Sequence, residues 1–199
     1  IAGGLPPQEL TYEADERSEE EIINTFNEQA RLLNDYVDFF YFDVLSSVRE
    51  FKIAIEAIKN FNKPYLVGAH ISEGTKLPSG EKISEILKVT SSDKMLGLIL
   101  SCISPENYEL NLSEIKNLGV PFGFKLNAFI KTNPKPNYAG AYKKNKTRNP
   151  NELLGQRKDL TPEKMAEFAK RFKESGATIL GGCCETRPAH IKEMSKLIL

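Results

Sequence analysis

The sequence contains no tryptophan, only three cysteines, and no excess of charge, with 27 basic and 27 acidic residues among 199. Three cysteines are too few for a disulfide scaffold, and the odd count favours a reducing compartment. A net charge of zero provides no field that would hold nucleic acid or an anionic membrane. No apolar run approaches the roughly 20 residues that a membrane-spanning helix needs. We therefore expect a soluble cytoplasmic protein that binds neither nucleic acid nor membranes.

Apolar runs of strand length alternate with helical patterns along the whole chain. Six strands are predicted, at residues 1–5, 37–45, 65–71, 95–103, 122–130 and 178–183. A capping box formed by Ser18 and Glu21 predicts the start of the first helix, and Thr161 followed by Pro162 predicts the start of a later one. This alternation is typical of an α/β protein with a parallel sheet.

Six βα units fit either a doubly wound sheet or three quarters of an eight-stranded (β/α)8 barrel of the TIM type. Such a barrel takes about 250 residues, so its first two βα units would be absent. We expect residues 1–199 to form a single domain, a partial barrel that begins inside the fold because residue 1 is Ile rather than Met. Two open strand edges tend to pair or aggregate, which makes a homo-oligomer through these edges a possible assembly. The long polar segment 131–158 is expected to be functional or mobile.

All three cysteines follow or end predicted strands. Cys183 and Cys184 come directly after Gly181 and Gly182, and Cys102 lies near the end of an earlier strand. The carboxyl ends of parallel strands share one edge, where sites in α/β folds are found. Three thiolates occupy three positions of a tetrahedral zinc ion and leave the fourth open, as in catalytic sites. Burial of three small apolar side chains is the alternative, and spacing alone does not choose between the two.

Four segments together resemble the homocysteine S-methyltransferase family, which includes betaine-homocysteine methyltransferase and the homocysteine domain of methionine synthase. Residues 181–191 resemble the carboxyl-terminal zinc motif of that family, and Cys102 followed by Pro105 resembles its first zinc cysteine. Residues 74–81 are similar to a loop and helix start upstream, and residues 1–7 are similar to the third strand. The resemblance covers essentially the whole chain.

The resemblance implies a barrel in which Cys102, Cys183 and Cys184 hold Zn2+ and the sulfur of homocysteine takes the fourth position. It implies transfer of a methyl group from a small sulfonium or betaine-type donor to homocysteine, forming methionine. Coordination to zinc would keep the homocysteine thiol deprotonated. This matters because a free thiol with a pKa near 8.5 is mostly protonated at neutral pH, whereas the thiolate is the nucleophile.

Three further residues are substrate-binding candidates by the same resemblance. Asp43 stands where the family has a Glu that contacts the homocysteine amino group, with capping of the next helix as the alternative. Asn127 resembles a strand Asn of the family, with an ordinary polar strand end as the alternative. Ser101 stands where Asn commonly precedes the first zinc cysteine, and Glu185 replaces the usual Gly after the cysteine pair.

Two other functions are compatible with the sequence. The first strand of the family carries an acidic residue that helps to bind homocysteine, and no residue of this chain replaces it. The alternative is therefore a catalytically inactive zinc-binding fragment or an assembly-dependent remnant. A thiol-redox protein that uses Cys183 and Cys184 is a further hypothesis.

Overall fold

The computed structural model describes residues 1–8, 11–90, 93–133 and 154–198. Six strands are present: β1 (Ala2–Leu5), β2 (Phe39–Leu45), β3 (Tyr65–His70), β4 (Met95–Ile103), β5 (Phe122–Leu126) and β6 (Ile179–Gly182). The α-helices of the described residues are α1 (Glu19–Leu33), α2 (Val48–Ile58), α3 (Pro105–Lys116), α4 (Pro162–Glu174) and α5 (Pro188–Ser195). Short 3-10 helices cover Asn34–Tyr36, Lys59–Phe61 and Ile83–Lys88. The predicted alternation of strands and helices is confirmed.

The strands form one sheet in chain order, and every neighbouring pair is parallel. A doubly wound sheet reverses its strand order at a switch point, whereas a barrel adds each strand beside the last. The observed order is that of a curled partial barrel, so the predicted barrel type is confirmed. Within the described residues, β1 and β6 are paired on one side only. A single domain, and pairing of these edges with a second copy, stay predictions.

The two faces of the sheet differ in what covers them. The outer face packs on the helices through a large apolar core that includes Leu5, Phe40, Phe42, Val67, Leu100, Phe124, Leu126, Ile22, Phe26, Phe51, Tyr108, Met165 and Phe172. On the inner face, Tyr41, Leu66 and Ile99 form a smaller apolar layer. Burial of the outer core stabilises the sheet. Because the helices and the sheet supply this core, the carboxyl ends of the strands can carry polar side chains.

Helices begin with side-chain caps directly after the loops that leave the strands. The predicted capping box of Ser18 and Glu21 is present, and Thr161 caps α4 with Pro162 in its first turn. Ser47 caps α2 and Ser104 caps α3. Because α2 is capped by Ser47, the alternative role of Asp43 as a helix cap is wrong.

The fifth predicted strand is longer than the observed strand, because its apolar run continues after the chain has left the sheet. The strand predicted at residues 122–130 ends at Leu126, because the side chain of Asn127 turns toward β4 and the chain then leaves the sheet. Of the predicted segment 131–158, residues 134–153 lie outside the described residues. Its two ends meet, since the amide of Lys131 donates to the carbonyl of Leu154 at 2.9 Å.

None of the helices that the structure describes combines the length and apolarity needed to cross a membrane.

Glu50, in the first turn of α2, is a buried carboxyl group close to the carboxyl end of β2. It is 1% exposed, and its Oε2 accepts hydrogen bonds from the hydroxyl of Ser47 at 2.7 Å and the amide of Ser46 at 3.3 Å. Burial raises the pKa of Glu50 from an ordinary value of 4.5 to about 7, although the hydrogen bond from Ser47 opposes this shift. The folded protein therefore retains a proton that the unfolded chain releases between these two pH values.

Glu50 should make the protein less stable as pH rises. Between pH 4.5 and 7 only the folded state binds the proton, so the free energy of unfolding falls by about 3 kcal/mol over that interval. We expect the free energy of unfolding of Glu50→Gln, relative to that of the parent protein, to rise by about this amount when pH is raised from 4.5 to 8. Denaturant unfolding at the two pH values measures it. Glu56→Gln, on the exposed side of the same helix, is the control. A parallel pH dependence of Glu50→Gln and parent would contradict the prediction.

Candidate metal centre

The three cysteine sulfurs meet at the carboxyl edge of the sheet. The Sγ atoms of Cys102, Cys183 and Cys184 all lie within 4.8 Å of one another, and all three residues are free thiols. The separations are 3.7 Å between Cys102 and Cys184 and 4.0 Å between Cys183 and Cys184. A tetrahedral zinc ion with bonds of about 2.3 Å to sulfur places its ligands about 3.8 Å apart. The spacing therefore fits one tetrahedral metal ion.

A change in backbone conformation brings Cys102 to this cluster. In a regular strand it would share the helix-facing side with Leu98 and Leu100. Cys102 instead adopts φ 55°, in the left-handed region, and the pairing of β4 with β5 shifts between Ser101 and Ile103. The shift lets Ile103 take the place in the outer core and turns Cys102 toward the other two sulfurs. Non-glycine residues adopt this conformation at an energetic cost, and such residues are enriched at functional sites.

Asn127 stabilises the unusual conformation of Cys102. Its Nδ2 donates to the carbonyl oxygen of Cys102 at 2.6 Å and approaches the Sγ atom at 3.8 Å. The amide of Phe129 donates to Oδ1 of Asn127 at 3.3 Å, which orients the side-chain amide. Asn127 is 3% exposed. The structure thus places this predicted substrate residue against the backbone of a cysteine.

Cys183 and Cys184 are fixed by a tight turn after β6. The amide of Cys183 donates to the carbonyl of Leu126 at 2.7 Å, and the amide of Ala128 donates to the carbonyl of Cys184 at 3.1 Å. A Cβ atom on residue 182 would lie 2.5 Å from Oγ1 of Thr186, so any larger residue here would have to displace that side chain. These contacts tie the cysteine pair to the end of β5.

Tyr12 reaches the cluster from the loop after β1, and the sequence had not indicated it. Its hydroxyl lies 3.2 Å from Sγ of Cys102 and 4.0 Å from Sγ of Cys184. An apolar group surrounds the sulfurs; besides Tyr12 and Cys102 it comprises Val44, Phe129 and Leu154. The loop that carries Tyr12 has no periodicity or motif, so no sequence signal pointed to this residue. This group packs against Cys183 and Cys184, which are both partly exposed.

His70 supports the same edge as a neutral side chain. Its Nδ1 lies 3.1 Å from the carbonyl oxygen of Ser101, which can only accept, so Nδ1 carries the proton. Nε2 then accepts from the hydroxyl of Ser72 at 2.7 Å. Burial lowers the pKa of His70 to about 4. The ring centroid of His70 lies 4.6 Å from that of Tyr12, so the histidine packs against the tyrosine and is not one of the candidate metal ligands.

The electrostatics of the cluster favour a single negative charge. Hydrogen bonds from Cys102 and Cys183 hold the pKa of Cys184 well below its ordinary value. The pKa of Cys183 is raised by its hydrogen bonds to Cys102 and Cys184 and by burial. Without a cation, one thiolate is thus stabilised by the remaining thiols, and further deprotonation is resisted. Three thiolates together need a positive charge at their centre, which a divalent metal ion supplies.

Asp43 and Ser101 lie on the inner face below the sulfurs. Nζ of Lys125 is 2.8 Å from Oδ1 and 2.7 Å from Oδ2 of Asp43. The hydroxyl of Ser101 hydrogen-bonds that of Tyr41, and Ser101 is fully buried. Burial lowers the pKa of Lys125, but the negative charge of the sulfur cluster and of Asp43 outweighs this effect and raises it. Lys125 was missed at the sequence level, although a lone lysine within the apolar strand β5 was a usable signal.

Sequence comparisons relate this chain to one protein family. A family model described as homocysteine S-methyltransferase matches residues 1–198. Homocysteine S-methyltransferase 1 of Zea mays is 27% identical over 127 residues, which are 63% of this chain and 35% of the relative. This chain therefore spans about a third of that protein.

Two solved structures of the homocysteine methyltransferase MmuM from Escherichia coli share the fold. The apo form superposes with a TM-score of 0.70 at 18% identity and covers 98% of this chain and 61% of that chain. The metallated form superposes with a TM-score of 0.70 at 17% identity and covers 94% of this chain and 55% of that chain. At this level of identity the likeness establishes the fold alone.

Loss of the Asn127 amide should weaken metal binding by loosening Cys102. Residues that orient a metal ligand typically contribute 10- to 100-fold to affinity, so we expect Asn127→Ala to lower the affinity for Zn2+ by about that factor. Competition with a chromophoric chelator measures the effect. Asn111→Ala removes another buried amide, one that contacts the carbonyl of Gly74, and should leave the affinity unchanged. Equal affinities for the Asn127 and Asn111 variants would contradict the assignment.

Proposed function

Because the chain belongs to the homocysteine S-methyltransferase family, we propose that it transfers a methyl group to the thiol of homocysteine, forming methionine. The reaction is proposed to take place at a zinc ion held by Cys102, Cys183 and Cys184. The observation that carries the proposal is the meeting of three free sulfurs, at tetrahedral spacing, on the carboxyl edge of a barrel sheet.

The chemistry of the ligands favours zinc. Thiolates select soft or borderline metals, and a mononuclear site with three sulfurs and an open position is typical of catalytic zinc. When bound, zinc lowers the pKa of a thiol in the open position, so that this thiol is a nucleophile at neutral pH. The three cysteines of this chain match that requirement in type and in number.

The residues around the sulfurs would bind the substrate and exclude water. We propose that the Asp43 carboxylate, on the inner face below the sulfurs, receives the ammonium group of homocysteine. Direct roles of Ser101 and Asn127 toward the substrate stay predictions, since their side chains contact Tyr41 and Cys102. The apolar group around the sulfurs would hold the thiol away from water, and a methyl donor must align in-line with it.

The methyl donor is proposed to be a small sulfonium or betaine. Both classes carry the methyl group on a positively charged atom, which makes it susceptible to attack by a thiolate. Among the described residues no side chain distinguishes the two classes, so the assay must compare donors of both kinds.

Metal content tests the first half of the proposal. We expect about one zinc per chain in protein purified under reducing conditions, and almost none in the variant carrying Cys183→Ala and Cys184→Ala. Elemental analysis measures both, and Ser195→Ala on α5 serves as the control. Folded, reduced parent protein that binds no zinc would overturn the proposal.

Methionine formation tests the second half. We expect turnover with homocysteine and at least one of betaine, S-methylmethionine or S-adenosylmethionine, and none in the double cysteine variant. Asp43→Asn should raise the KM for homocysteine about 10- to 100-fold, because a hydrogen bond to a charged group contributes about 1.5–3 kcal/mol. Exposed Asp35→Asn is the control. Zinc binding without turnover would favour the catalytically inactive zinc-binding alternative.

A further inference from the structure

The ion pair between Lys125 and Asp43 is unusual for its position. Both residues lie on the inner face of the sheet, close to the buried Ser101 and to the apolar layer of Tyr41, Leu66 and Ile99. The ammonium of Lys125 contacts both carboxylate oxygens of Asp43 and lies 5.2 Å from the ring centroid of Tyr41. Desolvating two charges in such a wall is costly, and an apolar pair would suit stability equally well. The position suggests a role beyond folding.

The register of the sheet places this pair directly below the sulfurs. Lys125 is paired with Ser101 on one side and with Gly181 on the other. Ser101 immediately precedes Cys102, and Gly181 is two residues before Cys183. A Cβ atom on residue 181 would lie 3.2 Å from Cγ of Lys125, so the glycine leaves space for the lysine side chain. A molecule whose sulfur reaches the cysteines would extend past this pair.

The ion pair is accessible to such a molecule. The side chains of Lys125 and Asp43 are 21% and 24% exposed, in contrast to the fully buried Ser101 beside them. Each charge can therefore exchange its present partner for a group on a ligand. An α-amino acid carries its ammonium and carboxylate on the same carbon atom, so it needs an anion and a cation that are immediate neighbours.

We propose that Lys125 recognises the carboxylate of homocysteine, next to the ammonium site proposed at Asp43. This inference rests on the proposed function and deepens it by assigning a further specificity-determining residue. The zwitterion replaces one internal ion pair with two ion pairs, which preserves the charge balance of the inner face. Lys125 also supplies the positive charge without which a carboxylate would be repelled by the thiolates above it.

Three thiols of equal chain length distinguish the contact of Lys125 with the carboxylate from the contact of Asp43 with the ammonium. Homocysteine has both charged groups, 3-mercaptopropylamine lacks the carboxylate, and 4-mercaptobutyrate lacks the ammonium. Their dissociation constants with zinc-loaded protein are measured by calorimetry, so the result does not depend on turnover. We expect the parent protein to prefer homocysteine at least 10-fold over either analogue.

Substitution of Lys125 should affect only the thiols that carry a carboxylate. We expect Lys125→Gln to raise the dissociation constants of homocysteine and 4-mercaptobutyrate about 10- to 100-fold. The dissociation constant of 3-mercaptopropylamine should stay the same or fall. Lys125→Arg keeps the charge and should retain the preference for homocysteine. Lys170→Gln, an exposed residue of α4, is the control. Zinc content is measured for each variant and should remain at the parent level.

Other outcomes would overturn the inference in distinguishable ways. If Lys125→Gln weakened all three thiols equally, or lost zinc, the lysine would act on the metal centre or the fold rather than on the carboxylate. If the parent bound homocysteine and 3-mercaptopropylamine equally, thiol binding would stand and the role of Lys125 would fall. If zinc-loaded parent bound none of the thiols, the proposed function would fail and this inference with it.

Discussion

The hydrogen bond from Asn127 to the carbonyl of Cys102 is the contact on which the candidate site depends most. It holds the peptide at Cys102 in a left-handed conformation that a cysteine adopts only at a cost. Because of that conformation, β4 sends Ile103 into the outer core and Cys102 toward the cysteine pair after β6. Val44, with φ 63°, makes the same change at the end of β2. Two local departures from regular strand geometry, at Cys102 and Val44, thus shape the carboxyl edge of the sheet.

The charged groups of this region form two layers, which are the sulfur cluster and the ion pair of Lys125 and Asp43. The sulfur cluster stabilises a single thiolate by itself and needs a cation to stabilise three. Below it, Lys125 and Asp43 form an ion pair of zero net charge beside the apolar layer of the inner face. A zinc ion above and a zwitterion below would satisfy both layers, which is why the metal centre and the ion pair together support one substrate class.

Much of this arrangement follows from sequence patterns. Alternating βα units and the N-terminal caps at Ser18 and Thr161 predicted the sheet and two of its helices, because these signals are local. Meeting of the cysteines was predictable too, since parallel strands bring their carboxyl ends to one edge. The length of β5 was not, because residues 128–130 continue an apolar run although the chain has left the sheet.

Long-range contacts within the site escaped prediction for physical reasons. Strand alternation assigns Cys102 to the helix side, and only the change in register corrects it. The partner of Asp43 is 82 residues away in β5, and Tyr12 comes from a loop without any periodic pattern. X-ray absorption at the zinc edge is the measurement that decides whether the three cysteines hold zinc and leave one position for the substrate thiol. We expect three sulfur ligands at about 2.3 Å in the zinc-loaded protein and four after homocysteine is added. Fewer than three sulfurs, or no change with homocysteine, would contradict this metal centre.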